Sequence, residues 1–174
     1  MSPRQKLSLG ITMKLLATVL FALLLAVSGQ ARLGETEEEM VARFGEPTNR
    51  GQHFAWLQGK NWNLGPSLTF KQDDWRITAD LVDGGCVHIR YGKLGAWTED
   101  QVKMVLAYSG QGAAWVETSK PNFAKVLRTW KRSDGGAARW RTGVGFELEN
   151  PAYGRAKAVA EGKAKVGASG KPKI

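Results

Sequence analysis

The sequence predicts an α+β fold, in which two tandem α-β-β-β-β repeats form an antiparallel sheet packed against helices. Two segments, residues 33–47 and 94–110, share a Leu-Gly opening, a threonine followed by acidic residues, and apolar residues at helical spacing. After each segment the apolar residues alternate with polar ones, which is typical of half-buried strands. Because this order of patterns occurs twice, we predict two copies of one unit.

Each predicted helix starts at a capping box, in which a hydroxyl and a longer side chain bond to each other's backbone N–H groups. The threonines pair with residues three positions later, as Thr36 with Glu39 and Thr98 with Gln101. Glycines are expected to end both helices. The first helix is expected to end at Gly45 and to have an apolar face of Met40, Val41 and Phe44. The second is expected to end at Gly110, and its face consists of Val102, Val105, Leu106 and Ser109.

The strands of the first repeat are predicted at 54–57, 67–70, 75–81 and 87–91, and those of the second at 113–116, 127–132, 137–141 and 145–149. Asp83 and the two glycines after it predict a hairpin turn. The domain organisation is then a signal peptide at 1–31, repeats at 32–92 and 93–150 that share one compact domain, and a basic low-complexity tail at 151–174.

The N-terminal segment is predicted to be a cleaved signal peptide. Residues 15–27 form a run of 13 residues that is apolar except for Thr18, whereas a helix needs about 20 to span a bilayer. Lys14 precedes this run, and Gly29 and Ala31 supply the small residues of a cleavage site. Met13 is an alternative start. We therefore expect a periplasmic or secreted protein whose mature form has no transmembrane span.

The basic charge is concentrated at the two ends of the chain. The formal net charge is +9, but the leader and the tail carry most of it and the body is nearly neutral, which argues against nucleic-acid binding. The tail is rich in Ala, Gly and Lys, and we expect it to be disordered or a frayed helix. Its lysines are either simply solvated or attach the protein to an anionic surface.

Cys86 is the single cysteine, so the chain has no intrachain disulfide. Cys86 and His88 are two residues apart on a predicted strand and would share a face, about 7 Å apart. Proton transfer needs about 3 Å, so we predict no catalytic residue. One cysteine with His53 and His88 falls short of a structural zinc set, so we predict no metal and no cofactor.

Two of the seven tryptophans, Trp56 and Trp115, occupy equivalent repeat positions and are expected in the core. Trp130 differs because Arg128 and Arg132 flank it on one strand face, a composition typical of interface hot spots. The alternative for Trp130 is ordinary packing, with the arginine stems covering the ring.

We predict that the sheet face opposite the two helices binds a partner. The candidate binding residues, expected to be dispensable for stability, are Arg76, His88, Arg90, Arg128, Trp130 and Arg132. The residues expected on the core side are Ile77, Leu81, Val87 and Ile89.

The segment at 33–47 resembles the signature of the SmpA/OmlA (BamE-like) family of bacterial envelope proteins. The matching residues are Leu33, Gly34, Thr36, Glu38, Met40, Phe44, Gly45 and Pro47. The doubled unit is similar to the architecture of the β-lactamase inhibitor protein, which implies a continuous curved sheet backed by helices. Together these resemblances imply a non-catalytic module whose open sheet face binds another protein, although the chain lacks the lipidated cysteine of the family.

The predicted function is therefore that of an exported, non-enzymatic binding module of the bacterial cell envelope. Its expected partner is another protein of the envelope or the exterior, and the oligomeric state stays open. Two alternatives remain: a thiol-dependent secreted enzyme that uses Cys86, and attachment to an anionic surface through the tail.

Overall fold

The structure is a computed structural model that describes residues 32–57, 59–110, 112–119 and 127–169. The predicted signal peptide at 1–31 lies outside the described residues. The three described helices are α1 (Glu37–Phe44), α2 (Glu99–Ser109) and α3 (Pro151–Ser169). The described strands are β1 (Asn49–Leu57), β2 (Lys60–Gln72), β3 (Trp75–Val82), β4 (Gly85–Lys93), β5 (Trp115–Glu117), β6 (Leu127–Arg132), β7 (Ala137–Arg141) and β8 (Gly145–Glu149).

The eight strands form one antiparallel sheet in the order β1-β2-β3-β4-β8-β7-β6-β5. The prediction of two tandem α-β-β-β-β repeats is therefore wrong, although the α+β class holds. Strand β4 pairs with β8 from His88 to Tyr91, so the hydrogen-bond ladder runs through the junction between the two halves. The halves also differ, because β1 to β4 have 8 to 13 residues and β5 to β8 have 3 to 6. The third helix has no counterpart in the first half.

The core lies on the sheet face that carries α1 and α2. Residues directly opposite each other on paired strands share a face, and two such rows cross the sheet from β2 to β6. The rows are Leu68, Ala79, Ile89, Leu148, Ala138 and Trp130, and Phe70, Ile77, Tyr91, Phe146, Trp140 and Arg128. Both helices pack on these rows through Met40, Phe44, Val102 and Val105. One hydrophobic core therefore underlies the sheet from β2 to β6.

The capping boxes and the glycine ends predicted for the first two helices are confirmed. The N–H of Thr36 donates to Glu39 Oε2 over 2.9 Å, and the N–H of Glu39 donates to Thr36 Oγ1 over 3.3 Å. Thr98 and Gln101 form the same pair of bonds at the start of α2. The C-caps are Gly45 and Gly110, as expected.

The β3–β4 hairpin contains a bulge that the sequence did not predict. Its turn is confirmed, since Asp83 and Gly84 both have positive φ and form the two-residue loop. Asp80 pairs with His88 but Leu81 pairs with Cys86, so Val87 is an extra residue in β4. Cys86 therefore faces the core while His88 faces the other side, and the expectation that they share a face is wrong.

The tail, expected to be disordered or a frayed helix, contains helix α3 at residues 151–169, so disorder does not describe this segment. The helix lies across β1 to β4 on the sheet face opposite α1 and α2. Tyr153 and Ala160 are buried beneath it. Residues 170–174 lie outside the described part. None of the described helices combines the length and apolarity needed to cross a membrane.

Candidate functional site

The sheet face opposite α1 and α2, called here the polar face, carries mostly hydrophilic side chains. Two rows of paired residues define it: Ser67, Asp80, His88, Glu149, Ala137 and Lys131, and Thr69, Thr78, Arg90, Glu147, Arg139 and Thr129. Helix α3 covers the part of this face that belongs to β1 to β4 near His88. The polar face thus has a part covered by α3, around His88, and an uncovered part, formed by β6 to β8 and the adjoining ends of β3 and β4. The two parts differ in chemistry.

The six predicted binding residues divide between the two faces of the sheet. Arg76, His88 and Arg90 lie on the polar face, although His88 is buried there. Trp130 is paired with Ala138 in a core row and is only 4% exposed. Its ring stacks on Phe146 with centroids 5.6 Å apart. The prediction of a Trp130 hot spot is therefore wrong.

Arg128 and Arg132, on either side of Trp130, also face the core side and hold α2 on the sheet. The Arg128 guanidinium binds Glu99 at the start of α2 and Glu117 on β5, over 2.7 to 2.9 Å. Arg132 donates to the carbonyl of Ser109 at the end of α2 over 2.6 Å, and is 6% exposed. Both arginines therefore join α2 to the sheet, which argues against the expectation that they are dispensable for stability.

Trp56 and Trp115 are not equivalent in the structure. Trp115 is partly buried against the core, but Trp56 is 69% exposed. Trp56 lies near the tip of the hairpin formed by the edge strand β1, beyond a register shift between His53 and Phe54. The core prediction therefore fails for Trp56.

The covered part of the polar face contains a cluster centred on the carboxylate of Asp80, which is 1% exposed. Asp80 Oδ2 lies 2.8 Å from Nδ1 of His88 and 3.2 Å from Nδ1 of His53. The Ser67 hydroxyl donates to Oδ1 over 2.6 Å. Arg90 approaches both oxygens, at 3.2 and 3.3 Å. Four adjacent strands each contribute to this cluster.

Helix α3 joins the cluster through Tyr153. The Tyr153 hydroxyl lies 2.8 Å from Nε2 of His53. Its ring stacks on His88 with centroids 4.5 Å apart and planes 6° apart, and the ammonium of Lys157 lies 4.2 Å from the centroid of the Tyr153 ring. Asp80 accepts from the Nδ1–H of His88, and His53, Ser67, Arg90 and Tyr153 each have a hydrogen-bond partner within the cluster.

Burial and hydrogen bonds together determine which side chains of the cluster are charged. Burial lowers the pKa of His53, because it disfavours the charged imidazolium more than nearby Asp80 favours it. Burial acts to raise the pKa of Asp80, but hydrogen bonds from His88 and Ser67 outweigh it, and the pKa lies below its usual range. Burial raises the pKa of Tyr153 to about 12. The cluster therefore combines an ionised carboxylate, a neutral imidazole at His53 and a protonated phenol.

The uncovered part of the polar face has an excess of basic side chains. Its acids are engaged, since Glu147 pairs with Arg139 over 3.3 Å and Glu149 with Lys157 over 3.5 Å. Arg90 and Glu147 also line a shallow depression of about 180 Å³. Four basic residues of this part are exposed: Arg76, Lys131, Arg139 and Arg141.

Cys86 lies in the core, on the other side of the sheet. It is fully buried, and its thiol donates to the carbonyl of His88 over 3.7 Å. Burial raises the pKa of the thiol far above its ordinary value. The thiolate that a nucleophilic cysteine needs is therefore strongly disfavoured.

Sequence reasoning missed Asp80, His53 and Tyr153 as members of one cluster. His53 and Tyr153 are 100 residues apart in the chain, and only the position of α3 brings them together. A local signal exists for Asp80 alone, because it is an acid within the otherwise apolar stretch 79–82 of a central strand.

No protein-family description and no curated protein matches the chain. Among solved structures, the chain is similar to a cysteine-rich secretory protein from Staphylococcus aureus, with a TM-score of 0.41 and 7% identity. The match covers 68% of this chain and 44% of the staphylococcal one. The chain therefore spans less than half the length of the structure it matches.

Proposed function

We propose that the chain is an exported, non-enzymatic binding module of the bacterial cell envelope, and that the uncovered part of its polar face binds an acidic surface of another protein. The observation that carries this proposal is the basic excess of that part, where Arg76, Lys131 and Arg141 have no ion-pair partner among the described residues. A flat sheet face with unpaired cations attracts a surface of opposite charge.

The sequence supports the export part of this proposal. The leader has the charge, length and small residues of a signal peptide, and the resemblance of residues 33–47 to the SmpA/OmlA family implies a binding module in the envelope. The alternative of a thiol-dependent enzyme has no comparable support, because Cys86 is buried and its pKa is raised.

Attachment through the tail also has little support from the described residues. Lys157 of α3 is directed at Glu149 and lies over the ring of Tyr153. It therefore stabilises the docking of α3 rather than extending toward an anionic surface.

A charge-matched pair of variants tests the proposal. The test variant replaces Arg76, Lys131 and Arg141 by glutamine. The control replaces three exposed lysines outside the uncovered part, at Lys60, Lys103 and Lys163, so that the net charge changes equally. Each protein captures partners from an envelope extract, and the Kd for each purified captured protein is then measured at two salt concentrations.

We expect the test variant to weaken binding about 10- to 100-fold, since three interface charges contribute about 0.5 to 1 kcal/mol each. The control is expected to bind like the wild type, and the wild-type affinity is expected to fall with salt. Equal losses in both variants would mean that net charge, and not this face, determines binding.

A further inference from the structure

We propose that His53, Asp80 and His88 form a binding site for a divalent first-row transition-metal ion such as Zn²⁺. Each residue offers one ligand atom, and the three atoms lie within 4.8 Å of one another; Oδ2 of Asp80 is close to Nδ1 of both histidines. Two imidazoles and one carboxylate are a ligand set that zinc and other first-row metals bind.

The separations of the ligand atoms suit such an ion. Zinc bonds of about 2.0 to 2.2 Å place neighbouring ligand atoms of a tetrahedral site about 3.3 Å apart. Oδ2 of Asp80 lies 2.8 Å from Nδ1 of His88 and 3.2 Å from Nδ1 of His53. Only small side-chain movements are therefore needed to admit the ion.

Hydrogen bonds around the three residues orient the side chains that would bind the ion. A ligating imidazole needs a partner for its other nitrogen, and Nε2 of His53 has one in the Tyr153 hydroxyl, 2.8 Å away. The second oxygen of Asp80 is held by Ser67. Ion binding requires both Nδ1 atoms to be unprotonated, so in the bound state His53 donates from Nε2 to the phenolic oxygen.

Arg90 is the group that opposes an ion here, because its guanidinium lies 3.2 Å from Asp80. Its side chain is 42% exposed, and its Nε has no hydrogen-bond partner among the described residues. Arg90 can therefore turn toward solvent when a cation replaces it beside the carboxylate. This predicts that removal of the arginine charge strengthens ion binding.

The ring nitrogens give the sharpest test, because the chain has two histidines and its imidazole spectrum contains two rings. The full chain is stripped with a chelator, and long-range ¹H–¹⁵N spectra are recorded before and after addition of Zn²⁺. We expect the His88 proton to move from Nδ1 to Nε2, and the Nδ1 resonances of both rings to shift on ligation, at one equivalent of Zn²⁺. Unchanged Nδ1 resonances of both rings in the wild type at saturating Zn²⁺ would overturn the proposal, and this result needs no variant.

Calorimetric titration with Zn²⁺ supplies the second test. We expect one site, with affinity lowered at least tenfold in His53→Ala and in His88→Ala, and raised several-fold in Arg90→Gln. The matched control is Arg139→Gln on the same face, which is expected to bind like the wild type. Zinc binding that persists unchanged in both histidine variants, or an Arg90→Gln protein that binds more weakly than the control, would also contradict the proposal.

Discussion

Replacing Tyr153 by alanine should destabilise the whole domain, although the sequence alone places this residue in a tail expected to be disordered or a frayed helix. The Tyr153 ring is 8% exposed and stacks on His88. Truncation of a buried aromatic ring costs about 3 to 5 kcal/mol. Because this ring lies beneath a single helix at the edge of the polar cluster, where the helix can partly collapse, we expect about 3 kcal/mol.

Two further variants separate the contributions to this loss. Tyr153→Phe keeps the ring but removes the hydrogen bond to His53, which is worth about 1 kcal/mol. Val159→Ala changes a residue of the same helix that is 58% exposed, and it should cost less than 0.5 kcal/mol.

Urea denaturation measures the free energy of unfolding of the three variants, and thermal melting gives an independent value. For a domain of this size, 3 kcal/mol lowers Tm by about 10 to 15 °C. If Tyr153→Ala is no less stable than Val159→Ala, α3 does not dock as described, and the reasoning from its contacts is refuted.

The other predictions concern the core. In urea denaturation, Trp130→Ala should lower the free energy of unfolding by about 3 to 5 kcal/mol and Trp56→Ala by under 0.5 kcal/mol. The reason is that the Trp130 ring is buried, whereas Trp56 is 69% exposed. A reversed order would mean that the faces of β6 are misassigned. Cys86 should react with a thiol reagent at least 100-fold more slowly in the native protein than in urea, because burial raises its pKa; equally fast reaction in both states would contradict the buried position.

The features that the sequence predicted well are those whose determinants are close together in the chain. A capping box is complete within four residues, and the turn at Asp83 and Gly84 needs only two residues that tolerate positive φ. Such signals are independent of the rest of the fold, so they can be read without knowing which elements pair.

The faces of β6 were not predictable in this way. Arg128 and Arg132 made their side of the strand look exposed, and Trp130 was assigned to the same exposed side. The structure buries Trp130 and Arg132 and partly buries Arg128 on that side, because each arginine finds a distant anion or carbonyl, from Glu99 and Glu117 or from the end of α2. These partners depend on tertiary contacts that periodicity does not contain.

The bulge in β4 hid the Asp80 cluster for a related reason. Counting regularly from the turn would pair Asp80 with Val87, which sets a carboxylate beside an apolar side chain. The extra residue instead pairs Asp80 with His88, which satisfies the charge. A conflict of this kind between turn register and polarity is the one local indication of a bulge at this position.

The docking of helix α3 on the sheet was not predictable from the sequence, because the helix packs over a polar network rather than an apolar core. Its composition offers little to bury, and Tyr153 and Ala160 are its buried residues among the side chains described. The contacts that hold Tyr153 are a hydrogen bond to His53 and a stacked imidazole, and composition alone does not identify such contacts as a packed interior.

The same helix determines which charges of the polar face remain available. Beneath it, the charge of Asp80 is balanced by Arg90 and its carboxylate accepts a hydrogen bond from His88, whereas beyond it Arg76, Lys131 and Arg141 have no ion-pair partner among the described residues. The position of α3 therefore leaves uncovered the part of the polar face formed by β6 to β8 and the adjoining ends of β3 and β4.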